Sequence, residues 1–167
     1  MTISMHQLSA SVFKRSLGSL NAILDKAQTN AESRKIEPNA LLLARLAPDM
    51  FHLTRQVQAV TDQARSSARL AGLEPLKIDN TETSFADLKA RITKTIEYLD
   101  TLTPAQIDGT DEKMIGVPMG GQTQQINGLD YLQRFITPNF YFHLTMAYAI
   151  LRHNGVDVGK RDFLGMR

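Results

Sequence analysis

A chain of 167 residues with 43% hydrophobic and 22% charged side chains has the make-up of one ordinary globular domain, long enough to bury a sizeable core. Cysteine is absent, which excludes disulfides, a thiolate nucleophile and thiolate metal ligands. A net charge of +2, carried by scattered basic residues, argues against a nucleic-acid partner, and even the locally basic end with Arg152, Lys160, Arg161 and Arg167 reads as solvated surface.

No apolar run approaches the roughly 18 residues of a membrane span. The opening residues 1–17 lack a basic start followed by an apolar stretch. The expected location is the cytoplasm, with no membrane contact.

The first predicted helix runs from about Met5 to Gln28. Ser4 with Gln7 three residues later has capping-box spacing. Leu8, Val12, Leu20, Ile23 and Ala27 share one side, widened by Phe13, Leu17 and Leu24. The second begins at Pro38, which suits a first helical turn. Pro48 should kink or restart it. From Met50 the positions Leu53, Val57, Val60, Ala64, Ser67 and Ala71 alternate by three and four, the spacing of a bundle seam, and Gly72 is a natural stop.

The third helix is expected from Ser84, its cap, to about Leu102, with Phe85, Leu88, Ile92, Ile96 and Leu99 on its buried side. Thr103-Pro104 should open a further short turn through Ile107. Between 108 and 127 the period changes. Residues 113–118 and 122–126 flank Gly120-Gly121 and read as a small hairpin or irregular insertion. The fourth helix runs from about Leu129 to Asn154, with Pro138 inside it and Gly155 as its stop. The tail, with Val156, Val158, Phe163 and Leu164, should pack back on the helices. The fold class predicted is all-α: one domain over residues 1–167, a four-helix bundle with a hairpin between helices 3 and 4.

One histidine stands out. At about 100° per residue, His143 falls in the middle of the stripe Leu129, Leu132, Ile136, Phe140, Ala147 and Ile150. A buried imidazole must be hydrogen-bonded or metal-bound. One turn before it is Asn139. Tyr148 could also shape a pocket around it. On helix 2, Asp49 and Gln56 lie at the edge of the seam, while His52 points away from it. Asp62, on the far side, reads as a surface charge. His6 reads as solvated and His153 as a helix-end cation. No nucleophile-elbow sequence is present.

The runs Pro138–His143, Ala147–Gly155 and Gly159–Gly165, with Arg45–Met50 and Arg69–Gly72, resemble a bacterial domain-of-unknown-function family of the DinB and YfiT-like superfamily. That resemblance implies a four-helix bundle, a homodimer, and a divalent metal such as zinc, nickel or manganese held by three histidines. One of these would come from helix 2 and two, a turn apart, from helix 4. Some relatives are thiol-dependent transferases or hydrolases. Here His143 and His52 match two of the ligand regions, but neither Asn139 nor Ala147 supplies the third imidazole. The sequence therefore predicts a small-molecule-binding or non-catalytic bundle with a degenerate metal site at His143. The alternative is a divalent-metal-dependent enzyme with an altered ligand set.

Overall fold

The computed structural model describes residues 3–166. Helix α1 (Val12–Ser33) continues a π-helical turn, Gln7–Ser11, in which the Ser9 hydroxyl donates to the Met5 carbonyl at 2.7 Å. Phe13, Leu17, Leu20, Ile23, Leu24 and Ala27 are buried. The helix runs beyond Gln28 because Ala31, one turn past Ala27, is buried on the same stripe.

The region expected to hold a kinked helix is built differently. Helix α2 (Pro38–Leu42) is a single turn opened by its proline. Residues 43–52 are irregular and contain Pro48, whose ring disfavours helical backbone at the residue before it. Helix α3 (Leu53–Ser66) restarts at His52, whose Nδ1 accepts the Arg55 N–H at 3.3 Å. Met50 and Phe51 thus lie outside the helix, and the seam begins at Leu53. A 3-10 turn over Ser67–Ala71 follows, and Gly72 ends it at φ +77°.

Helix α4 (Phe85–Asp100) is capped by Ser84, whose Oγ accepts the Asp87 N–H at 3.1 Å. Helix α5 (Pro104–Ile107) follows. Strands β1 (Met114–Met119) and β2 (Gln122–Asn127) pair antiparallel, with Met119 opposite Gln122. Gly120 and Gly121 both take positive φ, as a two-residue hairpin turn requires. Ile115 and Val117 are buried and fasten the hairpin to the core. A single turn, α6 (Gly128–Asp130), leads through π-helical Tyr131–Ile136 into α7 (Thr137–His153). Pro138 falls in the first turn of α7, so its missing N–H meets a change of helical register rather than a helix interior. The tail ends in α8 (Lys160–Leu164), packed on α1, with Val156 and Val158 buried.

The protein is therefore mainly helical with one small antiparallel hairpin, and short helices stand between the long ones. α1 packs on α4, α4 on α3, and α3 most extensively on α7, which also touches α1. Their apolar faces share one buried cluster.

Two expectations fail for one reason. Leu8 and Leu129, assigned to buried stripes, are 43% and 39% exposed. Each lies in or beside a π-helical turn, where the wider turn breaks the 100° progression. His6, expected in solvent, is half-buried, with Nε2 2.8 Å from the Leu102 carbonyl and Nδ1 3.3 Å from Ser11 Oγ.

Gly128 carries a strict steric requirement. A Cβ there would lie 2.0 Å from the Thr110 carbonyl oxygen, where the adjacent Leu129 N–H bonds Asp111 at 2.9 Å. Gly128→Ala should destabilise the fold by about 1–3 kcal/mol, read from urea unfolding. Unchanged stability would show that the 110–111 segment gives way freely.

Candidate functional site

α3 and α7 face each other, and their polar contact is made by Gln56 and His143. His143 is half-buried rather than enclosed in the core, because the buried face of α7 centres on Phe140, Leu144, Ala147 and Leu151 and His143 lies toward its edge. Its Nδ1 is 2.8 Å from Gln56 Oε1, and Gln56 is 1% exposed. Gln56 Nε2 in turn donates to the Phe51 carbonyl at 3.2 Å. These contacts assign the proton. The amide nitrogen faces a carbonyl, so the amide oxygen faces the ring, and an oxygen can only accept. Nδ1 therefore carries the hydrogen and Nε2 the lone pair. Nε2 has no hydrogen-bond partner among the described residues and is not among the buried unpartnered atoms, so it meets solvent.

Aromatic rings frame the imidazole. Phe51 stacks nearly parallel to it at 6.0 Å, and Phe142 meets it edge-on at 5.3 Å. Both rings are exposed, at 45% and 52%. Arg55 places its guanidinium 5.2 Å from the centre of the Phe51 ring. Burial lowers the His143 pKa from its ordinary 6.5, and the Arg55 charge lowers it further against a smaller opposing pull from Asp62. The resting ring is neutral. His52 is also held below its ordinary value, first by burial and then by Arg45.

Among the described residues, none of the other anticipated residues hydrogen-bonds His143. Asp49 is exposed in the irregular 43–52 stretch and makes no hydrogen bond or ion pair among the described residues. Asn139 turns its Nδ2 back to the Phe135 carbonyl at 2.6 Å. Tyr148 packs edge-on against Phe163 of α8. His52 uses Nδ1 to cap α3. Among the described residues no group of three or more histidines or carboxylates could hold a metal ion. The donor set, one open imidazole nitrogen beside a committed amide, does not fit the three-histidine ion site that the resemblance implied.

A second polar cluster was misread in the sequence. Asp62, read as a surface charge, is the hub of an ion-pair network. Arg91 of α4, 3% exposed, donates from Nη2 to Asp62 Oδ1 at 2.6 Å, from Nη1 to Glu82 at 2.8 Å and the Asp79 carbonyl at 3.0 Å, and from Nε to Thr61 Oγ1 at 2.6 Å. Arg65 Nη2 donates to the same Asp62 oxygen. Glu82 also accepts from Gln58 at 2.8 Å. Burial alone would raise the Glu82 pKa, but the hydrogen bonds from Arg91 and Gln58 outweigh it and hold the carboxyl below its ordinary value. The available signal was the Asp62–Arg65 spacing of three residues on a helix.

Comparison with known proteins places these features. The family model described as a domain of unknown function (DUF1993) matches residues 5–164. The crystal structure described as a DinB family member protein from Shewanella denitrificans superposes with a TM-score of 0.89 at 40% identity, covering 96% of this chain and 91% of that one. Among curated proteins no relative matches.

By NMR, the His143 ring should titrate below 6.5, and Gln56→Glu should raise that midpoint, because a carboxylate favours the charged ring. Folding that lowers a histidine pKa leaves the unfolded chain binding more protons, so native stability is full above pH 6.5 and falls as pH drops through the folded value. A midpoint that Gln56→Glu leaves in place would contradict the hydrogen bond. Arg91→Leu, which takes the paired cation from the buried Glu82 side chain and one of those bonded to Asp62, should cost about 3–5 kcal/mol in chemical denaturation.

Proposed function

The chain belongs to the DUF1993 family and is DinB-like, and on that premise we propose that it is a four-helix-bundle protein that binds a small molecule at His143 without a metal ion. The observation that carries this reading is the Gln56–His143 hydrogen bond. It fixes the tautomer and leaves Nε2 as the free acceptor of a ring that burial and Arg55 keep neutral. Among the described residues no carboxylate is bonded to the ring and no hydroxyl stands against it as a nucleophile, which favours binding over acid–base or covalent catalysis.

The second reading is a divalent-metal protein of altered ligand set. One observation favours it: an Nδ1–H held by an oxygen acceptor is also how proteins orient a metal-ligating histidine. The two readings part on metal retention. The untagged protein, loaded with zinc, nickel or manganese and dialysed, should keep far less than one ion per chain. One ion per chain, lost in His143→Ala, would overturn the proposal.

The pair also separates fold from function. His143→Phe alone strands the buried Gln56 oxygen and should cost about 1–3 kcal/mol. Gln56→Leu combined with His143→Phe removes both partners and should recover most of that loss in thermal unfolding. The double variant should no longer bind small polar fragments that perturb the His143 ring resonances of the native protein. Fragments binding equally to both proteins would place the ligand elsewhere.

A further inference from the structure

The ion-pair network leaves one cation over, beside the site. It sets three guanidiniums, Arg55, Arg65 and Arg91, against two carboxylates, Asp62 and Glu82. Arg91 is committed to both carboxylates, and Arg65 shares the same Asp62 oxygen. Arg55 gets the remainder: its Nη1 stands 3.5 Å from Asp62 Oδ2, forms no hydrogen bond and is buried. The rest of its guanidinium also makes no hydrogen bond among the described residues, and the side chain is 35% exposed. A charge that is partly desolvated and loosely paired favours a further anionic partner.

Arg55 lies over Phe51, and Phe51 stacks on His143. The loosely paired cation, two exposed phenyl rings and the imidazole with its free acceptor nitrogen are thus contiguous. We propose that the ligand of this site is a planar aromatic carboxylate, its anionic group held by Arg55 and its ring packed against Phe51 and Phe142. A hydroxyl or N–H on that ligand would donate to His143 Nε2. This inference rests on the ligand-binding reading of His143 and adds the class of molecule. Charge complementarity chooses the occupant: a neutral molecule or a cation would leave Arg55 as it is, and Arg55 also disfavours a second positive charge.

The test compares 4-hydroxybenzoate with its neutral counterpart 4-hydroxybenzamide. Binding to the full chain is read by calorimetry and by the ring resonances of His143. The acid should bind about tenfold more tightly than the amide at low salt, and Arg55→Gln should remove that preference while leaving thermal unfolding intact. Lys160→Gln, a remote surface charge, should change nothing. Equal affinity for acid and amide, or a preference that survives Arg55→Gln, overturns the charge selection and leaves His143 as a binding site. Resonances unmoved by either probe overturn both this inference and the ligand-binding reading. A dimer dissociated by Phe142→Ser, with the probes excluded, would make this face a self-interface and have the same consequence. If Arg55→Gln does not fold, the acid–amide comparison on the native chain decides alone.

Discussion

The buried guanidinium of Arg91 organises this protein. Its donors are taken by Thr61 and Asp62 on α3 and by Asp79 and Glu82 in the chain before α4. An arginine this deep is tolerable only with all of those partners in place. It therefore fixes how far α3 can rotate against α4. Gln56 and Asp62 lie six residues apart on α3, about 240° around the axis. Locking the Asp62 side toward α4 leaves the Gln56 side aimed at α7, where His143 stands.

Such a network is weak evidence of stability, since apolar residues of equal volume often serve as well. What it supplies here is placement of charge. Arg91 and Arg65 saturate one oxygen of Asp62, and the surplus positive charge falls on Arg55 at the edge of the His143 site. That surplus helps burial keep the imidazole neutral. The charge cluster and the histidine are thus one electrostatic unit, although the histidine belongs to α7 and the cluster joins α3 to α4.

The long helices were legible because their apolar positions repeat at helical spacing and their ends carry physical punctuation: Ser84 at the start of α4, and Gly72 and Gly155 at stops. The hairpin was legible from Gly120-Gly121, whose positive φ values suit a two-residue turn. Legibility failed where the backbone left α-geometry. The π-helical turns at 7–11 and 131–136 shifted the phase, which exposed Leu8 and Leu129. In the irregular 43–52 stretch Asp49 is exposed and makes no hydrogen bond or ion pair among the described residues. Among the candidate site residues, the inward turn of His143 and the seam-edge position of Gln56 were readable from angle alone, and their hydrogen bond was not. The burial of Arg91 was not readable, because a charged residue is buried only with partners, and its partners come from α3 and the chain before α4.

Gln56 explains why an amide, rather than another polar group, serves at this contact. A hydroxyl could bond one neighbour well but would reach the Phe51 carbonyl and the imidazole together only with difficulty. An amide has a donor and an acceptor on opposite ends of one rigid plane. The donor is spent on the backbone of the irregular stretch, which positions Phe51, and the acceptor is spent on the ring, which sets its tautomer. One side chain therefore fixes both the aromatic wall and the direction of the free hydrogen-bonding nitrogen. With Nδ1 occupied by a neutral acceptor and a cation nearby, the exposed nitrogen accepts hydrogen bonds and does not donate them. On the ligand-binding reading proposed above, the site would select partners first by hydrogen-bond polarity, through an uncharged pair.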